Sequence, residues 1–527
     1  MTDFIKISDE KPSSATAGRR PARPERLLER ALIFTFLIHA VAMLSMALLL
    51  LPGMPGGGVA DDAARIRYIA QHPWLFRLGW IPWQLTALSD LLLAVALLRT
   101  PWIPRLPAVL SALVTIAAVI PDQAGQVCWM TRGIELATSA EPRVYLAYEA
   151  RIFEWTAVWG GTLYTIGALG WTWCFAAGGA WSRSLTVVSA LLWPLFLYVN
   201  AGPLLPPALR PSPAFVAAGN AGGFVLLQLW FLLVGEQVLR RSRPATAHGR
   251  WAPWRHPSKA LGLALDPVAN SRFLRALAEL PPTPAFVSDI TDVIYVNYLV
   301  DAGRLEPLAP PGLALDRVGP GRRHAVFTFL SFRHGHFGPR LLGPLRLLLP
   351  PPLHTNWRIH VHDGRNNRDG IHFVTNAISN PVHALAARMM SEGMPMHVPD
   401  RASLEARDGR FLLRFEPGTG TAPDIDLDLR PAAAAPATGP WSAAFGSWKE
   451  MLSYVVPQDR ALSTQPWHNR VTRQEIRLDI PIEACQPLEG TVRSKAAAAI
   501  VGDAEPFCFR VEKVTFRFDD ERHDALE

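Results

Sequence analysis

Long apolar runs fill the first half of the chain, and shorter runs of alternating character fill the second. A helix needs about 20 mostly apolar residues to cross a bilayer. Windows of that kind lie at 31–51, 80–98, 104–121, 152–176, 184–201 and 214–236, and they predict an all-α bundle of six transmembrane helices in a domain at 31–239. Turn-forming stretches such as Pro52–Gly58 and Gly202–Pro207 separate them. Pro101, Pro104 and Pro107 crowd the start of the third span, and Pro194 inside the fifth fits a kinked membrane helix. The first run is longer than a signal-peptide core and is followed by further spans, so it reads as a span rather than a leader.

Charge adds an orientation. Trp74, Trp80, Trp83, Trp102 and Trp181 stand at the ends of apolar runs, where an indole keeps its ring in acyl chain and its N–H in water. The net charge of +7 and pI near 9.4 do not point to nucleic acid, because the arginines cluster beside the spans. Arg19, Arg20, Arg23, Arg26 and Arg30 precede the first span, and Arg240, Arg241, Arg243, Arg250 and Arg255 follow the last. Basic flanks favour the cytoplasmic side. With an even number of spans, a basic arm at 1–30 and the whole C-terminal half are then expected on the cytoplasmic side of an inner membrane. The lipid bilayer is the expected partner, with anionic lipid beside the clusters. Arg65, Arg67 and Arg77 in the first connection weaken this bias, although Asp61 and Asp62 accompany them.

Polar residues inside spans are costly in hydrocarbon and therefore candidates for function. His39 and Asp90 lie at similar depth from the cytoplasmic end of spans one and two, close enough in level to pair. Asp122, Glu154, Asn200 and Asn220 form a second group toward the outer side. Interhelical hydrogen bonding and a proton or solute path both account for such residues.

Beyond a linker at 240–270, rich in Arg, Pro and Ala, the pattern becomes β-like over 271–527. Strand-type runs occur at 292–299, 325–332, 356–361, 371–376, 411–415, 471–480 and 506–518, and helical pattern is confined chiefly to 381–392 and 448–455. A Pro-Ala loop at 430–440 interrupts them. Many strands with few helices predict a mainly antiparallel, barrel-like domain. Cys128, Cys174, Cys485 and Cys508 show no paired spacing, so neither a disulfide framework nor a zinc knuckle is expected, and no cofactor is indicated.

The runs Asn297-Tyr298-Leu299-Val300, Leu305-Glu306-Pro307-Leu308-Ala309-Pro310-Pro311-Gly312-Leu313, Asn356-Trp357-Arg358-Ile359-His360-Val361, Gly370-Ile371-His372-Phe373-Val374, Ala387-Arg388 and Gly393-Met394-Pro395 follow one another in order. Over about 285–520 this order resembles the YqjF-like family of uncharacterised bacterial proteins, relatives of acetoacetate decarboxylase. The resemblance implies a closed antiparallel β-barrel with an interior small-molecule cavity. It also implies, for the decarboxylase chemistry, a Schiff-base lysine just after the Gly-x-Pro turn. Met396 and His397 occupy those positions here, and neither forms an iminium.

Histidine is abundant in this half, with His334-Gly335-His336 and His360-Val361-His362 the densest clusters. The two-residue period of a strand groups Arg358, His360 and His362 on one face and Trp357, Ile359 and Val361 on the other. A polar face lining the implied cavity would let Arg358 hold a carboxylate and the histidines do acid–base work or bind a metal, although no third metal ligand is apparent. In a closed barrel the apolar face more often points inward, which makes Trp357 the competing lining residue. Three readings remain open: a tethered module that binds a small anionic or apolar metabolite, an enzyme of lyase or hydrolase type working with His and Arg, and a transporter with a regulatory domain.

Overall fold

The computed structural model describes residues 23–55, 61–242, 252–433, 439–457, 459–465, 470–478 and 480–525. Most of the expected N-terminal arm, Arg243 and Arg250, and the middle of the Pro-Ala loop lie outside these residues. The chain divides into two compact units, one at Pro21–Pro244 and one whose described part lies within Ala245–Glu527.

The first unit is helical. Its elements are α1 (Arg23–Ser45), α2 (Asp62–Gln71), α3 (Pro73–Arg99), α4 (Arg105–Cys128), α5 (Ile134–Ser139), α6 (Pro142–Phe153), α7 (Gly161–Ala177), α8 (Arg183–Ala201) and α9 (Pro213–Ser242). Short π-helical turns carry α1 onward to Leu50, join α4 to α5 and join α6 to α7. Among the described residues, five helical stretches are long and apolar enough to cross a membrane: Glu25–Gly53, Pro73–Arg99, Arg105–Ser139, Arg183–Leu204 and Pro213–Ser242. Five of the six expected spans thus meet this measure of length and composition. The expected fourth, 152–176, is helical, but glycine and threonine dilute its apolar content. Those small residues have a packing use. A Cβ on Gly167 would stand 3.1 Å from Thr115 Oγ1 and one on Gly170 would stand 2.7 Å from Ser111 Cβ, so α7 lies close against α4. The Ser111 hydroxyl donates to the Gly167 carbonyl at 2.9 Å.

Two polar clusters mark the two ends of α3. Beside its start, the buried Arg65 of α2 donates to both carboxylate oxygens of Glu149 in α6 at 3.1 and 3.0 Å, to Asp62 and to the Gly53 carbonyl, while Tyr145 donates to Glu149. Beyond its other end, Trp102 packs on Gly178 at the end of α7, and Arg241 of α9 lies 4.6 Å from the Trp102 ring while donating to the Gly178 carbonyl at 3.0 Å.

The second unit has thirteen strands among the described residues: β1 (Phe286–Asp301), β2 (Ala314–Leu315), β3 (His324–Pro339), β4 (Leu353–Asp363), β5 (Arg368–Ile378), β6 (Met396–His397), β7 (Arg401–Arg407), β8 (Arg410–Glu416), β9 (Ile425–Pro431), β10 (Arg460–Gln465), β11 (Arg470–Leu478), β12 (Gln486–Arg493) and β13 (Pro506–Ala525). Its helices are α10 (Lys259–Ala269), α11 (Arg272–Ala278), α12 (Ala302–Leu305), α13 (Pro381–Met390), α14 (Pro440–Ala444), α15 (Trp448–Val455) and α16 (Lys495–Val501). The expected linker is thus corrected: α10 and the segment before it are folded, with Trp254 and Ala269 buried against Ile378 and Ala384.

Pairing runs β1–β3–β4–β5–β10–β11–β13, and β13 pairs again with β1, so these strands follow a closed path. Their neighbours are mostly antiparallel; β5–β10 is a parallel contact at Ala461 and Ile371. Strands covered on both faces read as continuous apolar runs rather than alternating ones. In β1, Ile294, Val296, Tyr298 and Val300 pack into one core together with Phe411, Leu413 and Phe415 of β8, while Val293, Tyr295 and Leu299 pack into another with Leu452 and Val455 of α15. β8 has one free face and alternates accordingly.

Candidate functional site: a buried cavity in the second unit

A cavity of about 80 Å³ opens between α13 and the strands of the closed path. Its walls are mainly apolar, with Phe286 and Ile290 from β1, Phe332 and Phe337 from β3, Phe516 and Phe518 from β13, and Met394 and Met396 around β6. Helix α13 starts at Pro381 behind Asn380, whose side-chain oxygen caps the backbone N–H groups of Val382 and His383. Its His383, Ala386, Ala387 and Met390 recur at helical spacing and line one wall.

Into this apolar space the sheet directs a few polar groups. His354 and Asn356 come from β4, Asn376 from β5 and His334 from β3. His334 Nε2 meets His354 Nδ1 at 3.0 Å, and His334 Nδ1 meets Ser288 Oγ at 2.9 Å. His383 Nε2 donates to the Phe337 carbonyl at 3.1 Å. Four buried atoms of lining residues have no hydrogen-bond partner: His354 Nε2, His383 Nδ1, Asn356 Oδ1 and Asn376 Oδ1. Burial holds the histidines neutral. It pushes the His354 pKa down to about 3, with His383 adding to the shift, and holds His334 well below the usual histidine range, with His354 and His383 adding.

The face predicted from strand alternation is Arg358-His360-His362, and the structure continues it backwards through Asn356 to His354. The early part of that face lines the cavity; the later part is covered. Arg358 is fully buried, donates to the Val455 carbonyl of α15 at 2.7 Å and lies 5.6 Å from the centre of the Tyr295 ring. His360 stacks on Tyr454 at 4.5 Å, and His362 is half-exposed and bonded to Asp369 at 2.7 Å. Trp357 lies on the opposite face, stacked on Phe329 at 4.8 Å in the apolar core. After the Gly393–Pro395 turn, Met396 lines the cavity, whereas His397 turns to Thr421 at 2.8 Å. Lys259, Lys449, Lys495 and Lys513 are all exposed, and none is among the lining residues.

Sequence reasoning missed His354, Asn376 and His383 as a group, and it missed a carboxylate cluster behind the Ser391 wall. There Glu392, Glu521 and His523 bring ligand-type atoms within 4.8 Å of one another. Their oxygens are engaged: Glu392 accepts from Arg470 and Thr472, and Glu521 accepts from Ser391 and Gln474. The cluster braces the wall through these bonds.

In the helical unit, His39 Nδ1 bonds to the Thr35 carbonyl at 2.9 Å rather than to Asp90, and Asp90 Oδ1 is buried without a partner. Asp122 accepts from Gln126, Gln123 and Tyr164. Asn200 donates to Thr165, Asn220 is half-buried, and Glu154 is exposed.

The second unit is a mostly-β domain around a small apolar cavity, carried on a chain with several helices of membrane-spanning character. Within it, residues 288–489 match the DUF2071 family, described as an uncharacterized conserved protein, which is the YqjF-like resemblance visible in the sequence. No curated protein matches the chain. Similar solved structures include an acetoacetate decarboxylase from Legionella pneumophila (11% identity, 46% of this chain and 88% of that one, TM-score 0.33). The enduracididine biosynthesis enzyme MppR complexed with pyruvate is similar at 14% identity over 46% of this chain and 91% of its own, with a TM-score of 0.31. An acetoacetate decarboxylase-like enzyme from Sphingomonas wittichii is similar at 12% identity over 46% and 94%, also at 0.31. Identities this low leave the chemistry of the site to its own geometry.

Proposed function

We propose that the second unit is a binding module for a small, neutral, largely apolar molecule, anchored by the helical unit to an inner membrane. The observation that carries this is the pairing of an apolar cavity with four unpartnered polar atoms, since buried polar groups are otherwise hydrogen-bonded. By comparison with cavities that hold benzene, the space suits roughly three to five non-hydrogen atoms, with Met390, Met394 and Met396 able to yield further. Neutral histidines and the burial of Arg358 under α15 favour a neutral ligand over the anionic one. The exposure of every described lysine of the unit supports binding over decarboxylation through a Schiff base.

Six crossings support the cytoplasmic placement of this module. The stretch Pro142–Ala177 begins beside the Arg65–Glu149 cluster at one end of α3 and finishes at the Trp102–Arg241 cluster at the other. At 27 residues α3 spans about 40 Å, enough for a bilayer. Arg65, neutralised by Glu149 and Asp62, no longer argues against an outer first connection.

Saturation-transfer NMR on the full chain in lipid nanodiscs tests the binding reading with two probes, sec-butanol and methyl ethyl ketone. At least one should bind the wild type and be lost in Ala387→Trp, which fills the cavity. Indifference of both probes to Ala387→Trp and to the milder Ala386→Phe contradicts it.

A further inference from the structure

We infer that the cavity selects a ligand that donates hydrogen bonds, a small alcohol or N–H compound rather than a ketone, aldehyde or carboxylate; this rests on the binding reading above. Ser288 lies outside the cavity wall. Its hydroxyl stands 3.1 Å from the Gly335 carbonyl and 3.3 Å from the Asp289 carbonyl. Carbonyl oxygens only accept, so the single serine proton points to them and Ser288 Oγ accepts from His334 Nδ1–H. A neutral imidazole carries one proton, so His334 Nε2 is a bare lone pair and must receive the proton of His354 Nδ1. His354 Nε2 is then also a bare lone pair, and it is the buried, unpartnered atom of a lining residue.

His383 reaches the same state by a different route. Its Nε2–H is committed to the Phe337 carbonyl, which leaves Nδ1 as an unpartnered acceptor. The Asn376 amide nitrogen faces Met394 Sδ at 3.7 Å, leaving Oδ1 to the cavity. Asn356 Oδ1 completes the set. The lining hydroxyls, by contrast, are committed elsewhere: Thr283 donates to the Met390 carbonyl and Ser391 to Glu521, so the free donors are confined to the two asparagine amides. The two bare imidazole nitrogens satisfy a donor and repel the lone pairs of a carbonyl placed against them. A cation would also find acceptors here, but it would lose its hydration against phenylalanine and methionine walls with no counter-charge among the lining residues.

The test compares sec-butanol with methyl ethyl ketone on the full chain in nanodiscs, two probes of nearly equal size and shape. The alcohol should bind about tenfold or more tightly. Equal or tighter binding of the ketone overturns the donor inference while the cavity reading stands; failure of both probes overturns the cavity reading itself. Nitrogen NMR of labelled histidines gives a second readout that needs no variant. His354 should show the Nδ1–H tautomer, and an Nε2–H tautomer would contradict the proton order derived from Ser288. Ser288→Ala frees that order and should bring the two affinities to within about threefold of each other.

Discussion

His334 and His354 face each other ring to ring across β3 and β4, with Nε2 and Nδ1 3.0 Å apart and both rings fully buried. Two stacked imidazoles in such a place persist only while both stay uncharged.

Acid should therefore destabilise the second unit. The folded-state pKa of His354, about 3, lies below the ordinary 6.5, and His334 and His397 are also lowered. Above pH 6.5 these groups are neutral in both states. As pH falls below 6.5 the unfolded chain takes up protons that the folded one refuses, so stability drops by about 1.4 kcal/mol per pH unit for each histidine. Melting of the full chain at pH 7 and pH 5 checks this, and His354→Gln should narrow the difference. A melting curve that does not move over this range would mean the histidines are charged or solvated.

Removing Arg358 should damage the fold rather than the ligand preference. Arg358→Ala leaves the Val455 carbonyl without its donor and a void beside Tyr295, a loss of about 3 kcal/mol or more. Denaturant titration measures the loss, and probe binding by the folded fraction should persist. Unchanged stability with binding abolished would relocate the ligand to the Arg358 end of β4.

Glu149 and Arg65 should prove coupled. Glu149→Ala leaves the buried Arg65 guanidinium with only the half-exposed Asp62 as counter-charge and should cost about 3 kcal/mol, whereas Arg65→Ala added to it should cost little more. Melting of the four members of this cycle in detergent decides it; simple additivity would show the pair to be unimportant.

Reporter fusions placed at Gly179 and at the C-terminus should both read cytoplasmic, since Pro142–Ala177 runs from the Glu149 end of α3 to the Trp102 end. A cytoplasmic first connection, or a periplasmic C-terminus, would remove that crossing.

Much of this architecture is legible in the chain because its patterns are local. Alternation on β4 grouped Arg358 with His360, and spacing on α13 and α15 marked both helices. What escaped is what depends on distant partners. The polar face of β4 begins four residues before Arg358, at His354, a position that only its pairing with His334 of β3 makes chemically distinct. Ser288 lies before the apolar run that announces β1, and a bulge there brings it to His334. Arg65 and Glu149 are 84 residues apart, so the arginine read as a topological signal is a neutralised core group. The 152–176 stretch reads as a span, but that its glycines serve close contact with α4 is not visible in its own pattern. Helix α10 is masked by Pro267 and its proline-rich flank.

Fluorine NMR of millimolar trifluoroethanol with the full chain in nanodiscs tests the binding cavity most directly. The fluorinated alcohol should give a bound resonance distinct from the free and lipid-partitioned signals, displaced by sec-butanol and absent from Ala387→Trp. Identical spectra from the wild type and Ala387→Trp would contradict the account.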